Sequence, residues 1–258
     1  MAPMTWPTLA RAAAWLMAGA FVLASVILLL WGFQVFGGPP EPGGVFLDDV
    51  LAGFAWEQTQ WPLEFAGTAL FVIGFLALGS LGPVFSRLAG SADARGGLVS
   101  VAFLLTAALG ATSQLIYIGA KPIATSPQYC DCGLLAEEIM SRLMTLNIVN
   151  GIQTWLVSGA MLAATVGLLA AGQLGRDAGM PAAWRTLAWV AAALALIVAI
   201  LPLFDLAPFD VLLVVLVAGL LIPIWAVWFA SRVDDLWPSA PSAPSIGGDD
   251  TFATDERE

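Results

Sequence analysis

Residues 143–171, LMTLNIVNGIQTWLVSGAMLAATVGLLAA, decide the fold. The stretch contains no charged residue and no proline. It exceeds the roughly 20 apolar residues that carry a helix across the hydrocarbon layer of a bilayer. Its polar residues are not scattered: Asn147, Asn150, Thr154 and Ser158 recur at helical spacing and share one narrow arc. Side-chain amides turned toward acyl chains would leave donors unsatisfied, so the arc is expected to face other protein.

Working outward, apolar runs at 12–33, 65–85, 98–118, 186–204 and 211–230 approach or reach the same length. Hydrophobic residues make up 59% of the chain and charged residues 11%, against about 25% charged in an ordinary soluble domain. The expectation is an all-α, polytopic transmembrane helical bundle of six spans, with residues 1–232 forming one domain. The first run is read as an uncleaved helix. It is too long for the apolar core of a signal peptide, and Gly37, Gly38, Pro39 and Pro40 follow it where a small-residue cleavage site would stand.

Basic residues in short loops favour the cytoplasmic face. With the N-terminus inside, Arg11, Arg87, Arg95, Arg176, Arg185, Arg232 and Arg257 lie in the cytoplasm, leaving only Lys121 and Arg142 outside. This bias predicts that both termini are cytoplasmic, and the six-span layout with its Ala/Gly/Leu-rich composition points to a multi-pass protein of the bacterial plasma membrane. The net charge of −10 is concentrated after residue 232, where Pro, Ser, Gly and Asp dominate. Residues 233–258 are expected to form a disordered acidic cytoplasmic tail. No basic cluster offers a footprint for nucleic acid or anionic lipid. The expected partners are the lipid bilayer and other membrane subunits.

In the first outer loop, Phe46, Leu47, Val50, Leu51 and Phe54 follow helical spacing and predict a short interfacial helix. Trp61, Pro62, Leu63 and Glu64 then read as the first turn of the second span, where proline is tolerated and an acidic residue meets the positive helix end.

The clearest polar signal joins the third and fourth spans. Thr106, Gly110, Ser113, Gln114, Tyr117 and Lys121 fall within an arc of about 100° on helix three. They complement the stripe on helix four. Two readings follow. The stripes are hydrogen-bonding seams between helices, worth about 0.6 kcal/mol per contact. Alternatively they enclose an outward-facing pocket of Ser113, Gln114, Tyr117, Asn147, Asn150 and Thr154, with Glu64, Lys121 and Arg142 at its mouth. On helix four, Gly159, Ala163, Gly167 and Ala171 form a small-residue ridge suited to close packing.

The chain has no histidine, which removes bis-histidine haem, the usual zinc sites and histidine-based acid–base catalysis. No charged residue sits near the middle of a span, where proton routes usually carry one. No catalytic residue, cofactor or metal is assigned. Cys130 and Cys132 share an outer loop and carry three readings: a staple or free thiols, a strained exchangeable disulfide, or a Cu(I) site with Met140 and Met144 nearby.

The segment Glu64-x-x-Gly67-x-x-Leu70-Phe71-Val72 is similar to the second span of a group of bacterial six-span integral membrane proteins that carry a domain of unknown function. The resemblance covers roughly residues 10–230 and implies a six-span layout, with no activity to carry over. The leading expectation is a non-enzymatic membrane protein, either a structural or interaction component or a binder of a small ligand between helices three and four. A small-solute permease and a thiol–disulfide or Cu(I) protein using Cys130 and Cys132 are the alternatives.

Overall fold

The computed structural model describes residues 5–35, 37–90, 93–125, 136–204 and 209–237. Among these residues every regular element is helical. The helices are α1 (Trp6–Gly32), α2 (Phe46–Ala89), α3 (Ala94–Thr125), α4 (Ala136–Asp177), α5 (Ala182–Ile200), α6 (Phe209–Leu216) and α7 (Ile222–Leu236). A π-helical turn, Val217–Leu221, fuses α6 and α7 into one rod. Six helices are long and apolar enough to cross a membrane, the last running Leu212–Leu236. Large apolar side chains including Trp15, Leu16, Val101, Leu104, Trp155 and Leu162 are exposed around the bundle, as contact with lipid requires.

The helices are longer than the apolar runs. At 1.5 Å per residue, the 44 residues of α2 extend about 66 Å, twice the roughly 30 Å hydrocarbon thickness. The segment expected as a separate interfacial helix is instead the first part of α2, and Pro62 lies inside that helix. A proline removes one intrahelical donor, and here packing carries the helix across the loss. Phe54 with Val50 on α2, Ala124 on α3 and Leu146 on α4 form a second small core, which holds these extensions together. The C-terminal expectation also shifts. Helix α7 continues through Leu236, with Val233 fully buried, Asp234 paired with Arg11 and Asp235 with Arg232. Residues 238–258 lie outside the described residues.

The Arg11–Asp234 pair sets the start of α1 beside the end of α7 at one end of the bundle. There Gly90 and Gly179 take positive φ, 79° and 76°, a conformation glycine adopts without a Cβ penalty. Arg95 reaches Asp93 and, at 2.6 Å, Asp177. Hydrogen bonds from this guanidinium hold both carboxyls below the usual aspartate range.

The interior of this half is aromatic. Phe85 stacks on Phe229 at 4.6 Å and on Trp225 at 5.7 Å, Trp184 stacks on Trp225 at 5.2 Å, and Phe103 meets Phe85 edge-on. Trp184 and Trp225 are fully buried. The Trp184 indole donates to the Trp225 carbonyl at 2.9 Å, which satisfies a polar atom that burial would otherwise penalise. Glycines make room for these rings. A Cβ at Gly167 would lie 2.5 Å from the Phe103 ring, so the ridge read on helix four is a seat for α3.

Candidate functional site

The opposite half of the bundle is not filled. A cavity of about 400 Å³ lies among all six spans, within the range typical of small-molecule sites. It is wider than a seam between two helices. Helix α1 gives Trp31, α2 gives Glu64, Thr68, Phe71 and Phe75, and α3 gives Gln114 and Tyr117. Asn150, Gln153, Thr154 and Ser158 come from α4, Val198 and Pro202 from the fifth span, and Val214 and Ala218 from the sixth. Asn150 and Thr154 are at once exposed and part of this wall, so the cavity opens to the surface along that flank of α4.

Its two ends differ chemically. Phe71 and Phe75 close it toward the aromatic half, packing with Phe21 at centroid distances of 6.1 and 5.3 Å. At the other end, a buried ion pair joins Lys121 Nζ to Glu64 Oε2 at 2.6 Å. The Lys121 ammonium also donates to the Tyr117 hydroxyl at 2.8 Å. It lies 3.5 Å from Glu57 Oε2 and 6.0 Å from the centre of the Trp31 indole. Glu64 is 8% exposed and Lys121 3%. Glu64 uses one carboxylate oxygen for Lys121; its Oε1 has no hydrogen-bond partner among the described residues, nor does the buried Trp31 Nε1.

The residues singled out from the sequence divide accordingly. Glu64, Gln114, Tyr117, Asn150 and Thr154 line the cavity, and Lys121 closes its polar end. Ser113 is fully buried behind the wall, donating to the Gly110 carbonyl at 2.7 Å and accepting from Gln114 at 3.3 Å. Asn147 is exposed and outside the wall. The polar stripe on α4 therefore borders the cavity only from Asn150 onward, and Asn147 faces the surface while its neighbour Leu146 packs on Phe54 and Ala124. Arg142 pairs with Glu138 at 3.3 Å and is not part of the wall. Cys130 and Cys132 lie outside the described residues.

Glu57 was not anticipated. It lies seven residues before Glu64, two helical turns along one face, but reading Pro62 as a helix start severed the two. Once α2 is continuous, the pair becomes a stripe aimed at Lys121. Among the described residues no three Cys, Asp or Glu side chains converge to hold a metal ion. Hydrogen bonding, charge and apolar burial are the chemistry on offer. No protein-family model, curated protein or solved structure matches this chain.

Proposed function

We propose that this chain is a non-enzymatic, multi-pass plasma-membrane protein that binds a small ligand in its central cavity, with both termini cytoplasmic and the cavity reached from the opposite side. The observation that carries this reading is the cavity itself: 400 Å³ shared by all six spans, apolar at one end and built around the buried Glu64–Lys121–Tyr117 cluster at the other. A seam of polar contacts would bring the helices together; here the helices stand apart around it. Burying an ion pair costs more desolvation than it returns unless its geometry is well satisfied, which favours a use beyond holding helices together. The orientation follows from the distribution of basic residues.

Binding is favoured over permeation because the floor of Phe71 and Phe75 is backed by the Phe85–Phe103–Trp184–Trp225–Phe229 cluster. A transported solute would have to displace both. Thr154→Trp tests the reading by placing an indole into the wall from an exposed position. Organic extracts of the purified protein, analysed by mass spectrometry, should contain a small molecule that Thr154→Trp lacks. Identical extracts from both proteins count against a ligand site.

A further inference from the structure

We infer that the cavity prefers a monovalent organic cation, an ammonium group carried on an apolar body. The inference deepens the binding reading above and rests on it. Its ground is the charge balance at the polar end. Two carboxylates, Glu57 and Glu64, face the single ammonium of Lys121, at 3.5 and 2.6 Å. Lys121 already gives two of its three N–H donors to Glu64 and Tyr117 and faces Glu57 at 3.5 Å, so an anionic ligand would compete with two carboxylates for it. Glu64, more than nine-tenths buried and part of the cavity wall, keeps Oε1 without a partner among the described residues.

An acceptor with excess negative charge and little water around it calls for a charged donor. A charge-assisted hydrogen bond is about twice as strong as a neutral one, and low polarity magnifies the attraction. A hydroxyl ligand would supply the donor but leave the surplus charge uncompensated. A carboxylate ligand would add to it. The walls suit the rest of such a molecule. Trp31 and Tyr117 line the polar end, and their rings already lie 6.0 and 5.1 Å from the Lys121 ammonium, an aromatic setting of the kind that receives cations. Phe71, Phe75 and Met161 receive an apolar body deeper in.

Three probes sharing one body separate the possibilities: 2-phenylethylammonium, 2-phenylethanol and 3-phenylpropionate. They are titrated into the full-length protein in phosphatidylcholine nanodiscs by calorimetry, with empty nanodiscs subtracted. The ammonium should bind at least about tenfold more tightly than the alcohol, and the carboxylate more weakly than either. Glu64→Gln removes the surplus charge and should bring ammonium and alcohol to comparable affinity. If Glu64→Gln does not fold, Glu57→Gln makes the same one-charge change at a less buried position. An alcohol or carboxylate that binds wild type as tightly as the ammonium overturns the inference, as does an ammonium preference that survives either glutamine variant. In the first case, loss of that binding in Thr154→Trp leaves the cavity reading standing. If no probe binds, the cation inference falls, and the extracted-ligand comparison judges the binding reading separately.

Discussion

Lys121 belongs to two environments at once, the interior of a bundle and an acidic cluster, and its removal should reveal which dominates. Its ammonium neutralises Glu64 at 2.6 Å, with both side chains almost fully shielded from solvent. Breaking one side of a buried pair strands the other charge, whereas replacing both members is often nearly neutral. Lys121→Met should therefore lower unfolding stability by about 3 kcal/mol. The double variant Glu64→Gln with Lys121→Met should recover most of that loss, since Glu57 retains 27% side-chain exposure and solvent can serve it. Denaturant titration in mixed micelles reads both. If the double variant is as unstable as the single one, the pair is not the source of the loss.

The helices were legible as runs of apolar residues, but their ends were not. Hydropathy marks where lipid begins, and a helix that continues into water carries no such mark. For this reason α2 was expected to be much shorter than its 44 residues, and the apolar run 143–171 marks only part of the 42 residues of α4. Proline compounded the error at Pro62: it forbids one donor, and sequence alone does not show that Phe54, Ala124 and Leu146 hold the helix through that point. The ridge on α4 was legible because small residues at every fourth position serve close approach and little else. Its physical weight can be measured against another glycine of the same helix. At Gly167 a methyl group would press on the Phe103 ring, whereas at Gly151 it would meet nothing within 4 Å. Gly167→Ala should destabilise by about 1–3 kcal/mol through overpacking. Gly151→Ala should stabilise by about 0.5–1 kcal/mol through helix propensity. Equal effects at both positions would mean that α4 does not seat on α3 at Phe103.

Across the whole molecule the two halves do different work. One half is packed around the fully buried Trp184 and Trp225, and the other half encloses the cavity beside Glu64 and Lys121. The polar stripe on α3 was readable in advance because all its members turn inward. The enclosing cavity was not, since it depends on how far six helices stand apart, a distance no single helix encodes. This asymmetry has a directional consequence. Arg11 and Asp234 join the first helix to the last at one end, and Asn150 lines the cavity in the other half, at its surface opening. In a background with Cys130 and Cys132 replaced by serine, a cysteine at Asn150 should react with a membrane-impermeant maleimide applied to the outside of spheroplasts. A cysteine at Ala192, which is fully buried, should stay unmodified until the protein is denatured. A tag at either terminus should be reached only after lysis. Labelling of the Asn150 position from the same side as the tags would place the opening on the cytoplasmic face and reverse the direction from which a ligand enters.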